Sequence, residues 1–559
     1  MFQDLLTSRR FVPIFICQFF SALSDNFIKN ALVILILFKL GTDQGAALVT
    51  LAGAALILPM FVLSALGGEL ADKYVKARVA RWLKVAEIPF AALAGLGFML
   101  DSIPLLFASI VLFGCGAALF GPIKYGILPD HLERRELPAA NALVEGATFL
   151  AILLGTILGG LAMVETATGP LMPDWTIAAV VVAFAAIGWL SARAIQPTGP
   201  AAPDLAITRN PARSTLDRLR ELHTDRRLWI GGLITSWFWL AGIVALSLLP
   251  TLIKGHLGGG KELITLGLCV FTIGIAFGSY LAARASRQRP NLALVPVGAL
   301  LMGLFCLDLG WTVWGVHAAE GSLALSSLWQ SVAGVRVMVD LFGMSAAGGL
   351  FIVPAFAAVQ AWAPADRRAR VIAAVNILNA AFMTTATLVV AGLQYAGWQS
   401  SHLFMALGAA NLVAVILVLR AWGRQGVQDL AMFIFKMFYR LEVKGVENLP
   451  EEGERVIIAP NHISLMDGPV MHAILPSHAA FAIDHGIAQA WWVKPFLKLI
   501  KAYTLDPTRP LAARALINEV KDGQTLVIFP EGRLTVTGGL MKVYDGTAMI
   551  ADKADAWIV

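Results

Sequence analysis

His462 and Asp467 stand five positions apart in Asn461-His462-Ile463-Ser464-Leu465-Met466-Asp467, directly after the apolar run Val456-Ile457-Ile458-Ala459-Pro460. A second apolar run, Thr525 to Phe529, ends in Pro530-Glu531-Gly532-Arg533-Leu534-Thr535. A neutral imidazole at 462 can take the proton of a hydroxyl as it attacks an acyl carbonyl, an effect of about 10²–10⁴ in rate. A carboxylate at 467, one helical turn beyond, can hold that imidazole in one tautomer and stabilise the imidazolium. Ser464 lies between them without a nucleophile-elbow context. Arg533 offers two parallel donors to a phosphate, and loop amides near Gly532 can add more.

Strands must carry these loops. Each apolar run reads as a buried strand ending in a polar loop, where α/β folds keep their chemistry. Arg455–Ala459, Ala479–Ile483, Ala502–Leu505 and Thr525–Phe529 read as strands, and Val470–Ile474, Trp491–Ile500 and Leu511–Val520 as helices, which gives an α/β sandwich over residues 444–559.

The rest of the chain is of another kind. Of 559 residues 58% are hydrophobic and 14% charged, and the mean hydropathy is +0.72. Soluble domains carry about 25% charged residues, so lipid must solvate most of this chain. Cys17, Cys115, Cys269 and Cys306 sit in apolar stretches at unrelated spacings, which suggests neither a disulfide framework nor a zinc site. The formal charge of +6 fits loops facing anionic lipid better than nucleic acid. The first apolar stretch is too long for a cleavable signal and lacks a small-residue cleavage pattern.

Spans long enough to cross a bilayer as helices fall near 11–38, 46–68, 82–100, 104–128, 141–164, 174–194, 229–253, 262–283, 291–314, 340–361, 370–394 and 401–420. Lys73, Lys76, Arg78 and Arg81 follow span two, Arg134 and Arg135 span four, Arg284, Arg287 and Arg289 span eight, and Arg367, Arg368 and Arg370 span ten. The alternate loops are poor in Lys and Arg, with Lys254, Lys261 and Arg336 as exceptions. The positive-inside rule then puts both termini in the cytoplasm. Residues 196–228, with four prolines from 197 and a basic run from Arg213 to Arg227, read as a linker between six-span halves at 1–195 and 229–421. Residues 422–443 hold Leu430, Phe433, Ile434, Met437, Phe438 and Leu441 at helical spacing with Lys436 and Arg440, an interfacial amphipathic helix.

Ionisable groups inside spans are costly and usually face a cavity. Asp25, with Asn26 beside it, and Lys29 one turn on can form a local pair in span one, Lys124 ends span four, and Glu145 starts span five. Lys124 is open to a second reading, snorkelling to the interface. In span eleven, Asn376, Asn379 and Thr384-Thr385 add neutral polar groups.

Gly68-Glu69-Leu70-Ala71-Asp72-Lys73-Tyr74-Val75-Lys76-Ala77-Arg78 resembles the loop signature of the major facilitator superfamily. The resemblance implies an all-α transporter of twelve spans in two halves, with Asp72 in a gating loop. Ser21-Ala22-Leu23-Ser24-Asp25-Asn26, Ala71-Asp72-Lys73 and Lys124-Tyr125-Gly126-Ile127-Leu128 resemble the bacterial lysophospholipid transporters of that superfamily. The tail, with Asn-His-x4-Asp and then Phe-Pro-Glu-Gly-Arg, resembles the glycerolipid acyltransferases. Leu505-Asp506-Pro507-Thr508-Arg509-Pro510 stands in the place of that family's second block, which makes Arg509 a phosphate contact. The family also assigns Glu531, Gly532 and Arg533 to the acceptor. Gly-Arg-Leu-Thr in place of Gly-Thr-Arg is similar to the 2-acylglycerophosphoethanolamine acyltransferases. The family's fourth block should begin near Trp557-Ile558-Val559, so the domain is expected to be incomplete and weak as an enzyme.

Together the resemblances imply inward movement of lysophospholipids, lysophosphatidylethanolamine foremost, across a bacterial inner membrane, and reacylation by the tail from acyl-carrier protein or acyl-CoA. Membrane lipids are the other implied contact, and no cofactor or metal is implied. The competing reading is a drug or metabolite exporter fused to a 1-acylglycerol-3-phosphate acyltransferase. The acceptor head group separates the two.

Overall fold

The computed structural model describes residues 2–559 except 134, 164, 167–168, 209, 287–289, 317–324, 440, 446–453, 476–478, 492, 498–499, 506–510 and 536–538. Arg134, Arg287, Arg289, Arg440 and Arg509 therefore lie outside the described residues. The chain forms two compact units, residues 1–290 with 294–418, and 291–293 with 419–559.

The first unit is helical. Its long helices are α1 (Val12–Lys73), α2 (Lys76–Met99), α3 (Ile103–Gly126), α4 (Leu137–Ala162), α5 (Asp174–Arg193), α6 (Pro211–Thr224), α7 (Arg226–Leu257), α8 (Lys261–Ala285), α9 (Leu294–Thr312), α10 (Val332–Trp362), α11 (Arg368–Tyr395) and α12 (Ser400–Phe438), the last with its residues from 419 on in the second unit. Twelve segments among the described residues are long and apolar enough to cross a membrane, from Val12–Ile36 to Ser400–Gly423. Each overlaps one span read from the sequence. The two halves meet where α1 packs on α11 and α4 on α8. Small residues let helices approach closely, as in membrane bundles generally. A Cβ at Gly159 of α4 would lie 2.5 Å from the Phe27 carbonyl oxygen of α1.

Four boundaries differ from the sequence reading. Helical structure continues from Val12 to Lys73 through the expected loop at Gly41–Gly45, a stretch without proline to stop it. The linker contains a helix, α6. Asn210 caps it by accepting the N–H groups of Ala212 and Arg213, and Pro211 opens its first turn. Arg336 is not a loop residue: α10 begins at Val332, so Arg336 sits one turn inside and pairs with Asp308 of α9. The amphipathic segment is not a separate helix, because α12 runs unbroken from Ser400 to Phe438. Gln428, Asp429 and Phe435 are buried along its last turns.

In the second unit, β1 (Val456–Ile458), α13 (Asp467–Ile474), β2 (Ala480–Asp484), β3 (Lys501–Leu505), α14 (Leu511–Lys521), β4 (Leu526–Val527), α15 (Gly546–Ala554) and β5 (Trp557–Ile558) follow in order. The strands form a parallel sheet in the order β3-β2-β4-β1-β5. Side chains alternate across it. Ile457, Leu526 and Ala480 join Leu516, Val520, Ile550 and Ala554 of the two helices on one face. Val456, Ile458, Val527 and Phe481 pack with Leu475 on the other. Both faces are covered, as parallel sheets require. Pairing of Ile457 with Leu526 and Ile458 with Val527 sets the ends of β1 and β4 side by side.

Candidate functional site

Loops that leave the carboxyl ends of adjacent parallel strands converge, and ligands bind there in open α/β sheets. The loop after β1 carries His462 and the loop after β4 carries Glu531, Gly532 and Arg533. Nδ1 of His462 lies 3.0 Å from Oδ2 of Asp467 at the first position of α13. The same oxygen accepts the N–H groups of Ile463 at 2.7 Å and Ser464 at 2.8 Å. An oxygen already accepting two amides takes a third donor, so Nδ1 carries the proton and Nε2 keeps a free lone pair. The His462 side chain keeps 14% of its surface exposed and that of Asp467 26%.

Phe529, the last residue before Pro530, stacks on the imidazole with centroids 4.1 Å apart and 23° between planes. This residue was read only as the end of a strand. Its position before the Pro-Glu-Gly turn is the signal that could have drawn attention to it. The chain then reverses at Gly532, whose φ of 62° suits glycine, with the Tyr544 ring 3.4 Å from where a Cβ would stand. Gly532 and Arg533 are exposed at the tip. Glu531 is fully buried and its carboxylate is taken up by the backbone: Oε1 accepts His462 N–H at 3.1 Å and Oε2 accepts Met541 N–H at 3.2 Å. The structure thus brings His462, Asp467, Glu531, Gly532 and Arg533 onto two touching loops.

Among the charges of the first half, Lys29 donates to Asn26 Oδ1 at 3.0 Å rather than to Asp25. Asp25 stays within Coulombic reach of Lys29, Lys84, Glu87 and Lys124. Lys84 and Glu87 of α2, which sequence reasoning passed over, are buried as a direct ion pair; Lys84 also bonds Ser21 Oγ and lies 4.0 Å over the Phe120 ring. Two opposite charges three residues apart inside an apolar stretch were the available signal. Lys124 lies 4.6 Å over the Tyr125 ring, and the Tyr125 hydroxyl donates to Glu145 Oε1 at 2.9 Å. Glu145 Oε2 and Gln18 Nε2 are buried without a hydrogen-bond partner among the described residues. Desolvated groups of this kind are stable only when they face partners or a ligand.

Asp72 is buried at the end of α1 and reaches across to the second half. Oδ1 accepts the N–H of Ala369 at 3.1 Å; Oδ2 accepts the N–H and Nε of Arg370 at 3.1 and 3.0 Å. It therefore caps the first turn of α11, where N–H groups have no intrahelical partner. Asp130 bridges Lys76 at 2.7 Å and Arg368 at 2.9 Å. Glu221 of α6 adds Arg367 at 3.6 Å and Arg370 at 3.7 Å. Beside this network Gly68 faces α11, and a Cβ there would lie 2.7 Å from Ala373 Cβ. The halves are closed on each other at this end.

A bundle of two six-span halves with charged contacts between them at one end, followed by a parallel sheet with His and Asp beyond a strand end, is the architecture of a membrane transporter fold joined to an α/β domain. Residues 14–335 match the Major Facilitator Superfamily and residues 440–559 match the Acyltransferase family. The chain belongs to the major facilitator superfamily and carries an acyltransferase domain behind its spans. It is 30% identical over 370 residues to the lysophospholipid transporter LplT of Yersinia pestis (strain Pestoides F), covering 64% of this chain and 82% of that one. The same figures hold for LplT of Yersinia pseudotuberculosis serotype O:3 (strain YPIII). The human organic anion transporter MFSD10 shares the fold, with a TM-score of 0.58 at 16% identity over 73% of this chain and 99% of that one. So does a bacterial homologue of the iron transporter ferroportin, with a TM-score of 0.54 at 17% identity over 74% and 98%.

Proposed function

We propose that the chain carries lysophospholipids, lysophosphatidylethanolamine foremost, inward across a bacterial inner membrane and reacylates them with its second unit on the cytoplasmic side. The observation that carries the reading is one chain holding both a body similar to lysophospholipid transporters and an ordered His462–Asp467 pair in an acyltransferase domain. The lysophospholipid and acyl-transfer halves of this statement support each other, since an imported lysolipid is a ready acceptor for the tail. Tethering raises its local concentration at the second site. The same likeness favours this reading over an exporter joined to a 1-acylglycerol-3-phosphate acyltransferase.

In the tail, the free hydroxyl of the lysolipid attacks the thioester carbonyl of acyl-carrier protein or acyl-CoA. Nε2 of His462 takes the hydroxyl proton as the new ester C–O bond forms, and Asp467 stabilises the imidazolium. As the C–S bond breaks, the proton passes to the departing thiolate. Arg533 holds the acceptor phosphate. Arg509 is assigned the same duty on its motif alone.

In the spans, Asp25, Asn26, Lys29, Lys124 and Glu145 form the polar path for the head group, with Lys84 and Glu87 beside them. Asp72 gates it by releasing α11. Proteoliposomes with acyl-CoA inside and labelled lysophosphatidylethanolamine outside test the reading: labelled diacyl lipid is expected, and uptake of label that is never acylated would overturn the catalytic half.

A further inference from the structure

Glu531 belongs to the stretch that the acyltransferase resemblance gives to the acceptor, yet no acceptor can reach it. Its side chain is fully buried, and each oxygen already accepts a backbone amide, His462 on one side and Met541 on the other. The same loop holds the rest of His462. Thr535 N–H donates to the His462 carbonyl at 2.7 Å, and the Phe529 ring lies flat against the imidazole. Both backbone polar groups of the base and the plane of its ring are therefore set by residues 529–535. The Met541 arm extends this hold to the next loop, where Tyr544 N–H closes on the Pro530 carbonyl at 3.0 Å.

Resting on the acyl-transfer reading above, we infer that Glu531 is a positioning residue for His462 and not a contact of the acceptor. A carboxylate suits the place because two inward amides need two acceptors. Glutamine has one acceptor and would turn its NH2 against the other N–H, leaving a buried donor unsatisfied. The loop carrying His462 would then relax, and Nε2 would leave the line of attack. A displacement of about 1 Å at a reacting group costs on the order of 10²-fold in rate.

The test uses the full chain in proteoliposomes, with palmitoyl-CoA and lysophosphatidylethanolamine as probes. Glu531→Gln is expected to lower kcat about 10-fold or more and to leave KM for the lysolipid within about twofold, the pattern of a lost transition-state geometry. Because Glu531 acts through the His462–Asp467 pair, Glu531→Gln and Asp467→Asn together should lose less than the product of their separate losses. A raised KM with kcat kept, or losses that multiply, would overturn the inference in favour of an acceptor contact. Amide hydrogen exchange reads the same claim without turnover. In Glu531→Gln the amides of His462 and Met541 should exchange about 10-fold faster or more, as buried hydrogen bonds are lost. Unchanged exchange at both would overturn it. If the parent chain turns over neither probe, the acyl-transfer reading fails, and exchange still decides the place of Glu531.

Discussion

Oδ2 of Asp467 accepts Nδ1 of His462 at 3.0 Å while holding two amides of the loop between them. The carboxylate thus fixes the loop and the tautomer with one atom. Asparagine can put its own oxygen in that place and keep the amides, so Asp467→Asn removes the charge and not the fold. Turnover should fall by about 10²-fold or more with little change in thermal stability, since only the imidazolium loses its partner. Stopped acyl transfer together with a collapsed melting temperature would instead mark Asp467 as a structural anchor.

Arg533 stands exposed beyond the Gly532 turn. A ground-state phosphate contact there is lost uniformly from substrate and transition state, so Arg533→Ala should raise KM for the lysolipid with kcat nearly kept. On the order of 10-fold is expected for a charge-assisted pair at an exposed site. Titration of the acceptor at saturating acyl-CoA checks it; a fall in kcat alone would remove Arg533 from phosphate binding.

The contact between α1 and α11 is steric as well as charged. Gly68 lets α1 meet α11 at Ala373, where any Cβ would collide. Gly68→Leu should hold the two halves apart at this end. Maleimide labelling of a cysteine at the buried Ala373 (Ala373→Cys) should speed up about 10-fold or more in the Gly68→Leu background, the signature of a shifted population. Asp72→Asn should move the labelling rate the same way by a smaller factor, because the amide keeps one acceptor for α11.

Asp25 lies among Lys29, Lys84, Glu87 and Lys124, and its loss unbalances their charge. Asp25→Asn should lower uptake of lysophosphatidylethanolamine with normal insertion in the membrane, whereas a carboxylate facing lipid would be silent or beneficial to lose. Lys84→Met with Glu87→Leu, which removes the buried pair together, should also reduce uptake. Full uptake by both variants would place the head-group path elsewhere.

Much of this was legible in residue spacing, and the reasons for the rest are physical. His462 and Asp467 could be read as a pair because a strand end and a helix start bring positions five apart together. The strands were readable from short apolar runs, and each of the four expected strands reappears within a residue or two. The hold of Glu531 on His462 was not legible, because its partners are backbone amides that any sequence supplies, brought near by the pairing of β1 with β4. The α6 helix announced itself in Asn210-Pro211 but was masked by the prolines before it. Arg336 was read as a loop residue because its charge interrupts hydropathy; the helix accommodates it through Asp308. Lys84 and Glu87 fall inside the expected third span and drew no reading of their own, although each neutralises the other inside the bundle.

The central claim is that one chain imports a lysolipid and then acylates it, with the two steps separable at His462. The most direct measurement follows labelled lysophosphatidylethanolamine, added outside proteoliposomes that hold acyl-CoA, into both the lumen-facing lysolipid pool and the diacyl product. The account predicts that His462→Ala imports label at the parent rate and forms no diacyl lipid above background. Diacyl lipid formed by His462→Ala at the parent rate, or import lost together with acylation, would contradict it.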